Sequence, residues 1–297
     1  MKILLTGATG FIGSAFLEFA LRRNFQVAAL ARPGKLQPHE RFQRPNLLWI
    51  EGTLADAPWK QIAAFQPEVC VHTAWITTPE IYLESPENRR YLQWSVDFLK
   101  HAINFGVKRF LVLGTCIEYQ IGEEILSEEQ TPLSPNTLYA QCKNSLHKTL
   151  REDLVFRELS LCWGRVFYPY GVGEYPARLC SSLIHRLKEN QKVFLKTPDS
   201  IKDYIHIEDL AAALLKIIES NFSGVINLGT GVGVSIREIA GLIASLMNKP
   251  DLIEESVSAA PDSYNRVIAD ATKLRSIGWQ PTVSLRTGLT QMVDQLT

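Results

Sequence analysis

The sequence lacks an excess of charge of either sign: 31 lysines and arginines balance 31 aspartates and glutamates over 297 residues. Without a basic surplus there is no electrostatic footprint for a nucleic acid or an anionic membrane, so any phosphate must be gripped locally and the expected ligand is small. Cysteine is sparse too. The five present, Cys70, Cys116, Cys142, Cys162 and Cys180, are odd in number, scattered and free of CxxC spacing, which excludes a disulfide framework and a zinc site and leaves packed, reduced thiols. No metal is expected. The chain also has no repeat, low-complexity tract or long charge block. Its opening apolar strand, Lys2 to Thr6, is too short for a signal-peptide core or a membrane span, so a cytoplasmic location is expected.

What is there is an ordinary globular composition, 46% hydrophobic and 21% charged, in a length that holds one large domain or two intimate ones. The first half alternates short β-branched runs with amphipathic stretches. Strands are expected at Lys2–Thr6, Gln26–Ala31, Leu47–Ile50, Val69–Thr73 and Arg109–Leu113. Helices are expected at Phe11–Arg23, with Phe11, Ala15, Phe16, Phe19 and Ala20 on its inward face, and near Trp59–Phe65 and Arg90–Phe105. Right-handed crossovers make this a Rossmann-type doubly wound parallel α/β sheet. After Arg165 the glycines, prolines and tyrosines of 168–176 predict a loop-rich stretch. Helices at Ile207–Ser220 and Ile236–Met247 and a strand at Val225–Leu228 follow. The expected division is a dinucleotide-binding part over 1–165, re-entered by 202–230, and a smaller interlaced substrate lobe over 166–201 and 231–297.

Between the first strand and the first helix lies Gly7-Ala8-Thr9-Gly10-Phe11-Ile12-Gly13, a GxxGxxG. The first glycine permits a tight turn, the second lets backbone approach a pyrophosphate, and the third packs helix on sheet while the helix N-terminus offers its amides. At the end of the second strand, where an acid would hold the ribose hydroxyls of NAD, the chain has Ala31 and Arg32. Arginine there accepts the 2′-phosphate of NADP, so NADP is expected, with NAD as the alternative.

Tyr139-Ala140-Gln141-Cys142-Lys143 has YxxxK spacing, which places both side chains on one helix face. A phenol is a poor acid–base at neutral pH unless a cation stabilises its anion, and Lys143 is placed to do so. Thr115, at the end of the Arg109 strand, is positioned to hydrogen-bond the same substrate oxygen.

With these residues the chain resembles the extended short-chain dehydrogenase/reductase family of nucleotide-sugar epimerases, dehydratases and reductases. The resemblance covers nearly the whole sequence: the glycine start, Val71-His72-Thr73-Ala74, Gly106-Val107-Lys108-Arg109-Phe110, Thr131-Pro132-Leu133-Ser134-Pro135, Lys202-Asp203-Tyr204-Ile205-His206-Ile207-Glu208-Asp209-Leu210-Ala211 and Gly278-Trp279-Gln280-Pro281. It implies that Tyr139 is the general acid–base, that Lys143 lowers its pKa and contacts the nicotinamide ribose, that Thr115 orients the reacting oxygen, and that Ala74 lines the cofactor pocket. His72 and His206 are expected as packed framework histidines. A homodimer through the helices around Arg90–Phe105 and Asn144–Glu152 is implied as well.

Departures from the family pattern narrow the reaction. Family dehydratases carry acids at the two positions after the strand-ending Thr or Ser; here these are Cys116 and Ile117, with Glu118 one place later. That disfavours dehydration and gives Glu118 a structural or substrate-positioning role. The run Gly114-Thr115-Cys116-Ile117-Glu118-Tyr119 looks like that of relatives reducing 4-keto-6-deoxy nucleotide sugars. Thr53, followed by Leu54, stands where relatives have an aspartate towards adenine, and Tyr168 replaces the usual asparagine of the substrate lobe. Ala260-Pro261-Asp262 lacks the arginine that grips a substrate diphosphate, a charge that Arg178, Lys202 or Arg266 could supply. The expected activity is NADPH-dependent reduction of a nucleotide-linked 4-keto-6-deoxyhexose. The alternatives are a nucleotide-sugar 4-epimerase with tightly held NAD, and a non-catalytic NADP-sensing regulator, which would have no reason to keep Tyr139, Lys143 and Thr115 together.

Overall fold

The computed structural model describes residues 1–35, 44–122, 124–255 and 262–297. Ala260 and Pro261, read above for the missing arginine, lie outside the described residues. The chain divides into two compact units, one formed by Met1–Glu118, Pro135–Arg165 and Ala211–Ile226, the other by Tyr119–Ser134, Val166–Leu210 and Asn227–Thr297.

In the first unit, β1 (Lys2–Thr6), β2 (Gln26–Ala31), β3 (Leu47–Glu51), β4 (Val69–His72), β5 (Arg109–Thr115) and β6 (Ser160–Val166) alternate with α1 (Phe11–Arg22), α2 (Trp59–Phe65), α3 (Glu87–Ile103) and α4 (Leu138–Glu152). Together with the strand Gly224–Leu228 they form a seven-stranded sheet in the order Gly224–Leu228, β6, β5, β4, β1, β2, β3. From β3 through β2, β1 and β4 to β5 every pairing is parallel, with Ile3 in register with Val27 on one side and Val69 on the other. The interior strand residues Ile3, Leu4, Leu5, Val27 and Val71 are fully enclosed, as expected when helices cover both faces of a parallel sheet. The strand order reverses between β1 and β4, and the crevice beyond their carboxyl ends is where such sheets bind ligands.

Helix α1 buries Gly13, Phe16, Leu17, Ala20 and Leu21, so its inward stripe is rotated from the one expected. Phe11, Ala15 and Phe19 are half-buried. The stripe runs i, i+3, i+4, i+7, i+8 from Gly13. Close packing at that glycine sets which face turns inward.

In the second unit Ile201–His206 is the central strand. It pairs parallel with Tyr168–Tyr170 and Arg266–Val267 and antiparallel with Gly233–Ser235. The stretch expected as loop after Arg165 therefore contributes a strand at Tyr168–Tyr170, because Tyr168 and Tyr170 find partners in Tyr204 and His206 that lie far along the chain. Helices Leu179–Lys188, Ile236–Leu246 and Leu285–Leu296 enclose a separate core around Ile184, Leu187, Ile239, Ile243, Leu289 and Met292.

The long motif at 202–211 is explained by its two aspartates. Asp203 accepts from the backbone of Thr230, Gly231 and Ala269, and Asp209 from the backbone of Thr282 and Val283. The indole of Trp279 donates to the Asp209 carbonyl at 3.0 Å. Both aspartates are buried staples within this unit. No helix among the described residues is long and apolar enough to cross a membrane, and all five cysteines are buried and free.

Candidate active site

β1 ends at Thr6 and the chain turns at Gly7, whose φ of 72° is left-handed, with the Gly10 N–H donating to the Gly7 carbonyl at 2.9 Å. A Cβ on Gly7 would stand 2.7 Å from the Ala74 nitrogen, and one on Gly13 would collide with the Gly7 carbonyl. The first and third glycines thus bring α1 and the end of β4 onto the turn. Gly10 caps α1 without a side-chain hydrogen bond, and no acid occupies the first turn. Thr9 and Gly10 are exposed, and Phe11 and Ile12 are half-buried. A cradle lined by glycine backbone, with helix amides uncompensated by a side chain or an acid, fits a dinucleotide pyrophosphate. Gly13→Ala is expected to lower stability by about 1–3 kcal/mol, as overpacking against backbone does, and to weaken cofactor binding. Chemical denaturation and a cofactor titration read the two effects.

Arg32 follows β2 directly and is exposed, in a turn closed by Lys35 N–H donating to the Arg32 carbonyl at 3.0 Å. Across the sheet Ala31 is in register with Glu51, whose carboxylate accepts from Gly34 N–H at 3.2 Å. An acid therefore stands beside the end of β2, supplied by the neighbouring strand, and it ties down the Arg32 turn. Thr53 closes its own loop, its N–H donating to the Asp56 carbonyl and its hydroxyl accepting from Asp56 N–H at 3.0 Å. Its polar groups are engaged internally, which leaves the half-buried Leu54 beside it as an apolar surface.

At the end of β5 the three expected catalytic groups converge. Thr137 caps α4 by accepting from Ala140 N–H at 3.2 Å, so the helix starts with Tyr139 and Lys143 on one inward face, both buried. The Thr115 side chain stands close enough to the Tyr139 phenol to favour its ionised form. Burial holds that phenol well above its ordinary pKa, and Tyr82, Glu118 and Cys116 add to the rise, while Thr115 opposes it. Lys143 Nζ donates to the Leu113 carbonyl at 2.7 Å and lies 6.0 Å from the Tyr139 ring centre. The ammonium is thus seated on β5 backbone rather than on the phenol, which stays a neutral proton donor. Burial lowers Lys143 to about 7 against the opposing pull of Glu118.

Behind Thr115 lies a buried polar cluster. Glu118 has no exposed surface. Its carboxylate accepts from Thr115 N–H at 2.8 Å, Trp163 Nε1 at 3.1 Å and Arg165 Nε at 2.9 Å. Burial pushes this carboxyl up, and the Arg165 charge and these hydrogen bonds resist. A Cβ on Gly114 would run into both Trp163 and Glu118. Of the two roles expected for Glu118, structural or substrate-positioning, its partners give the structural one: it holds the strand end that carries Thr115. Cys116 is also buried, close enough to the phenol to influence its titration.

Tyr168, Arg178, Lys202 and Arg266 belong to the second unit. Lys202 pairs with Asp262 at 2.9 Å, and its ammonium lies 5.8 Å from the Tyr168 ring. The charge expected for a substrate diphosphate is therefore already matched by a carboxylate. Arg178 caps the helix Leu179–Lys188, and Arg266 opens a two-residue strand. His72 is a framework histidine, bonded to Thr6 and Ser95 at 2.9 Å each and driven to about 3 by burial. His206 is packed as well, Nδ1 accepting from Glu208 N–H at 3.4 Å, while Nε2 has no hydrogen-bond partner among the described residues.

Sequence reasoning missed Trp75 and Tyr82. Trp75 places its ring centre 3.9 Å from Lys143 Nζ, and Tyr82 meets the Tyr139 ring edge-on at 5.0 Å. A large aromatic directly after Ala74 was the available signal for the first; nothing local marks the second.

A glycine turn at a topological switch point, with Tyr139, Lys143 and Thr115 gathered at a strand end of the same sheet, defines an enzyme of nicotinamide-dependent redox chemistry, an oxidoreductase or an epimerase. The chain belongs to the NAD dependent epimerase/dehydratase family, whose model matches residues 3–229. It is 25% identical to the low-salt glycan biosynthesis protein Agl12 of Haloferax volcanii, over 99% of this chain and 98% of that one. It is 26% identical to the dTDP-6-deoxy-L-talose 4-dehydrogenase (NAD(+)) of Aggregatibacter actinomycetemcomitans, over 80% of this chain and 87% of the relative. The UDP-glucose 4-epimerase of Thermus thermophilus, solved in complex with NAD, superposes with a TM-score of 0.85 at 25% identity, covering 100% of this chain and 99% of that one.

Proposed function

We propose that this enzyme reduces the 4-keto group of a nucleotide-linked 4-keto-6-deoxyhexose with NADPH. The observation that carries the reading is the placement of Thr115 against the Tyr139 phenol at a strand end where Cys116 and Ile117 are buried and Glu118 is committed to Arg165. Dehydration needs an available acid next to Thr115, and an off-by-one register does not rescue it because Glu118 is enclosed. Reduction needs only a proton donor at the carbonyl oxygen. The neutral Tyr139 phenol provides it, Thr115 orients that oxygen, and Lys143 stabilises the phenolate left behind. The nicotinamide, when bound, supplies the hydride. Gly7 to Gly13, Ala74 and Lys143 hold the dinucleotide, with Arg32 at the 2′-phosphate. A relative named for 4-dehydrogenation of a 6-deoxy sugar supports chemistry at that carbon.

Loss of nicotinamide absorbance on mixing enzyme, NADPH and dTDP- or CDP-linked 4-keto-6-deoxyhexoses tests the reading; no loss with any of them overturns it. A second reading, 4-epimerisation, is favoured by the likeness to an NAD-holding UDP-glucose 4-epimerase. It predicts protein purified with NAD bound, released and identified on denaturation, and conversion without added cofactor. Arg32→Ala is expected to reduce the preference for NADPH over NADH by about ten- to a hundredfold, the worth of a hydrogen bond to a charged group. Unchanged preference sinks the NADP assignment.

The pH profile carries a further expectation. Lys143 is depressed to about 7, so it is charged below that value and neutral above it. If its charge serves the reaction, kcat/KM for the cofactor, which reports the free enzyme, falls as pH rises through about 7. A flat profile to pH 9, about two units above that midpoint, contradicts the role given to Lys143.

A further inference from the structure

We infer that Trp75 is a positioning residue for Lys143, its indole face serving as a seat that holds the ammonium charged and aimed along β5. The inference rests on the reading of Tyr139 and Lys143 as the catalytic pair. Lys143 Nζ stands 3.9 Å from the Trp75 ring centre and donates to the Leu113 carbonyl at 2.7 Å. Indole is the strongest aromatic partner for a cation, and the attraction grows as water is excluded. Here both residues are buried, with Lys143 3% and Trp75 9% exposed. A side chain as mobile as lysine needs such fixed contacts to keep one geometry before a cofactor arrives.

The indole is itself pinned. Its Nε1 donates to Asn88 Oδ1 at 2.8 Å, and Asn88, fully buried, donates in turn to the carbonyls of Tyr82 at 2.6 Å and Ser85 at 2.9 Å. Tyr91 packs against the same ring with centres 5.8 Å apart. The start of α3 and the segment before it thereby set the tilt of the ring beneath the ammonium, and through Tyr82 the same segment touches Tyr139. Among the described residues, the other titratable groups acting on Lys143 or its partner are Glu118 after β5, His72 on β4, Tyr139 on α4, and Tyr82 and Cys116 beside the phenol. Trp75 adds no charge of its own, so its effect separates from theirs.

The test reads Lys143 directly, by NMR titration of protein labelled at lysine Cε, with the signal assigned through Lys143→Met. Trp75→Leu removes the π face and is expected to lower the Lys143 midpoint by about one pH unit, whereas Trp75→Phe, which keeps a face, moves it by less than about half a unit. The alkaline limb of kcat/KM should shift with the midpoint. If Trp75→Leu does not accumulate as folded protein, Trp75→Met carries the same expectation. An unchanged midpoint in the aliphatic variants, or an equal fall in the Phe and aliphatic variants, overturns the inference and leaves Trp75 as packing. Failure of the catalytic reading shows separately, as full turnover in Tyr139→Phe whatever the lysine does.

Discussion

Tyr139→Phe is expected to lower kcat by about 10²–10⁴-fold, the range for removing a positioned general acid–base, with fold and cofactor affinity kept. The ring stays and keeps its edge-on contact with Tyr82 at 5.0 Å. Only the phenolic hydroxyl goes, the group that Thr115 faces. Because the hydroxyl acts at the reacting oxygen and not on the dinucleotide, the loss falls in kcat rather than in cofactor binding. Steady-state kinetics beside a cofactor titration separates the two. A variant keeping more than about a tenth of wild-type turnover would remove Tyr139 from the acid–base role.

Glu118→Ala should be the most destabilising substitution around the site, by about 3–5 kcal/mol, because it leaves the Arg165 guanidinium buried without its counter-charge. The two side chains are 0% and 3% exposed and 2.9 Å apart. The same change strips an acceptor from Trp163 and from the Thr115 N–H. Replacing both ions, Glu118→Leu with Arg165→Met, should recover most of the stability, since a buried pair adds little over packed apolar groups of similar volume. Activity should not recover with it, because the backbone that presents Thr115 still lacks its carboxylate. Denaturation midpoints and turnover of the two variants decide this; a double variant as active as wild type would make Glu118 a stability device alone.

Local spacing determined much of this protein. Apolar periodicity with glycine punctuation is written in neighbouring residues, and it sufficed for the parallel sheet, the turn at Gly7, the paired face of Tyr139 and Lys143, and the strand end at Thr115. The same local signal located the helix at Phe11 but not its rotation, because the inward stripe was chosen by contact between Gly13 and the Gly7 carbonyl. Whatever depends on a distant partner was beyond such spacing. Glu118 is an acid near the site until Trp163 and Arg165 arrive from β6 to claim it. Lys202 reads as a candidate for a substrate diphosphate until Asp262 is seen to pair with it. Ala31 is a position without an acid until β3 brings Glu51 alongside. Lys143 belongs to Tyr139 by spacing, yet its ammonium rests on Trp75 and the Leu113 carbonyl. Spacing along the chain thus names the groups able to do the chemistry. Folding selects which of them stay available for it, since charge, burial and hydrogen-bond demand are settled by neighbours tens of residues away.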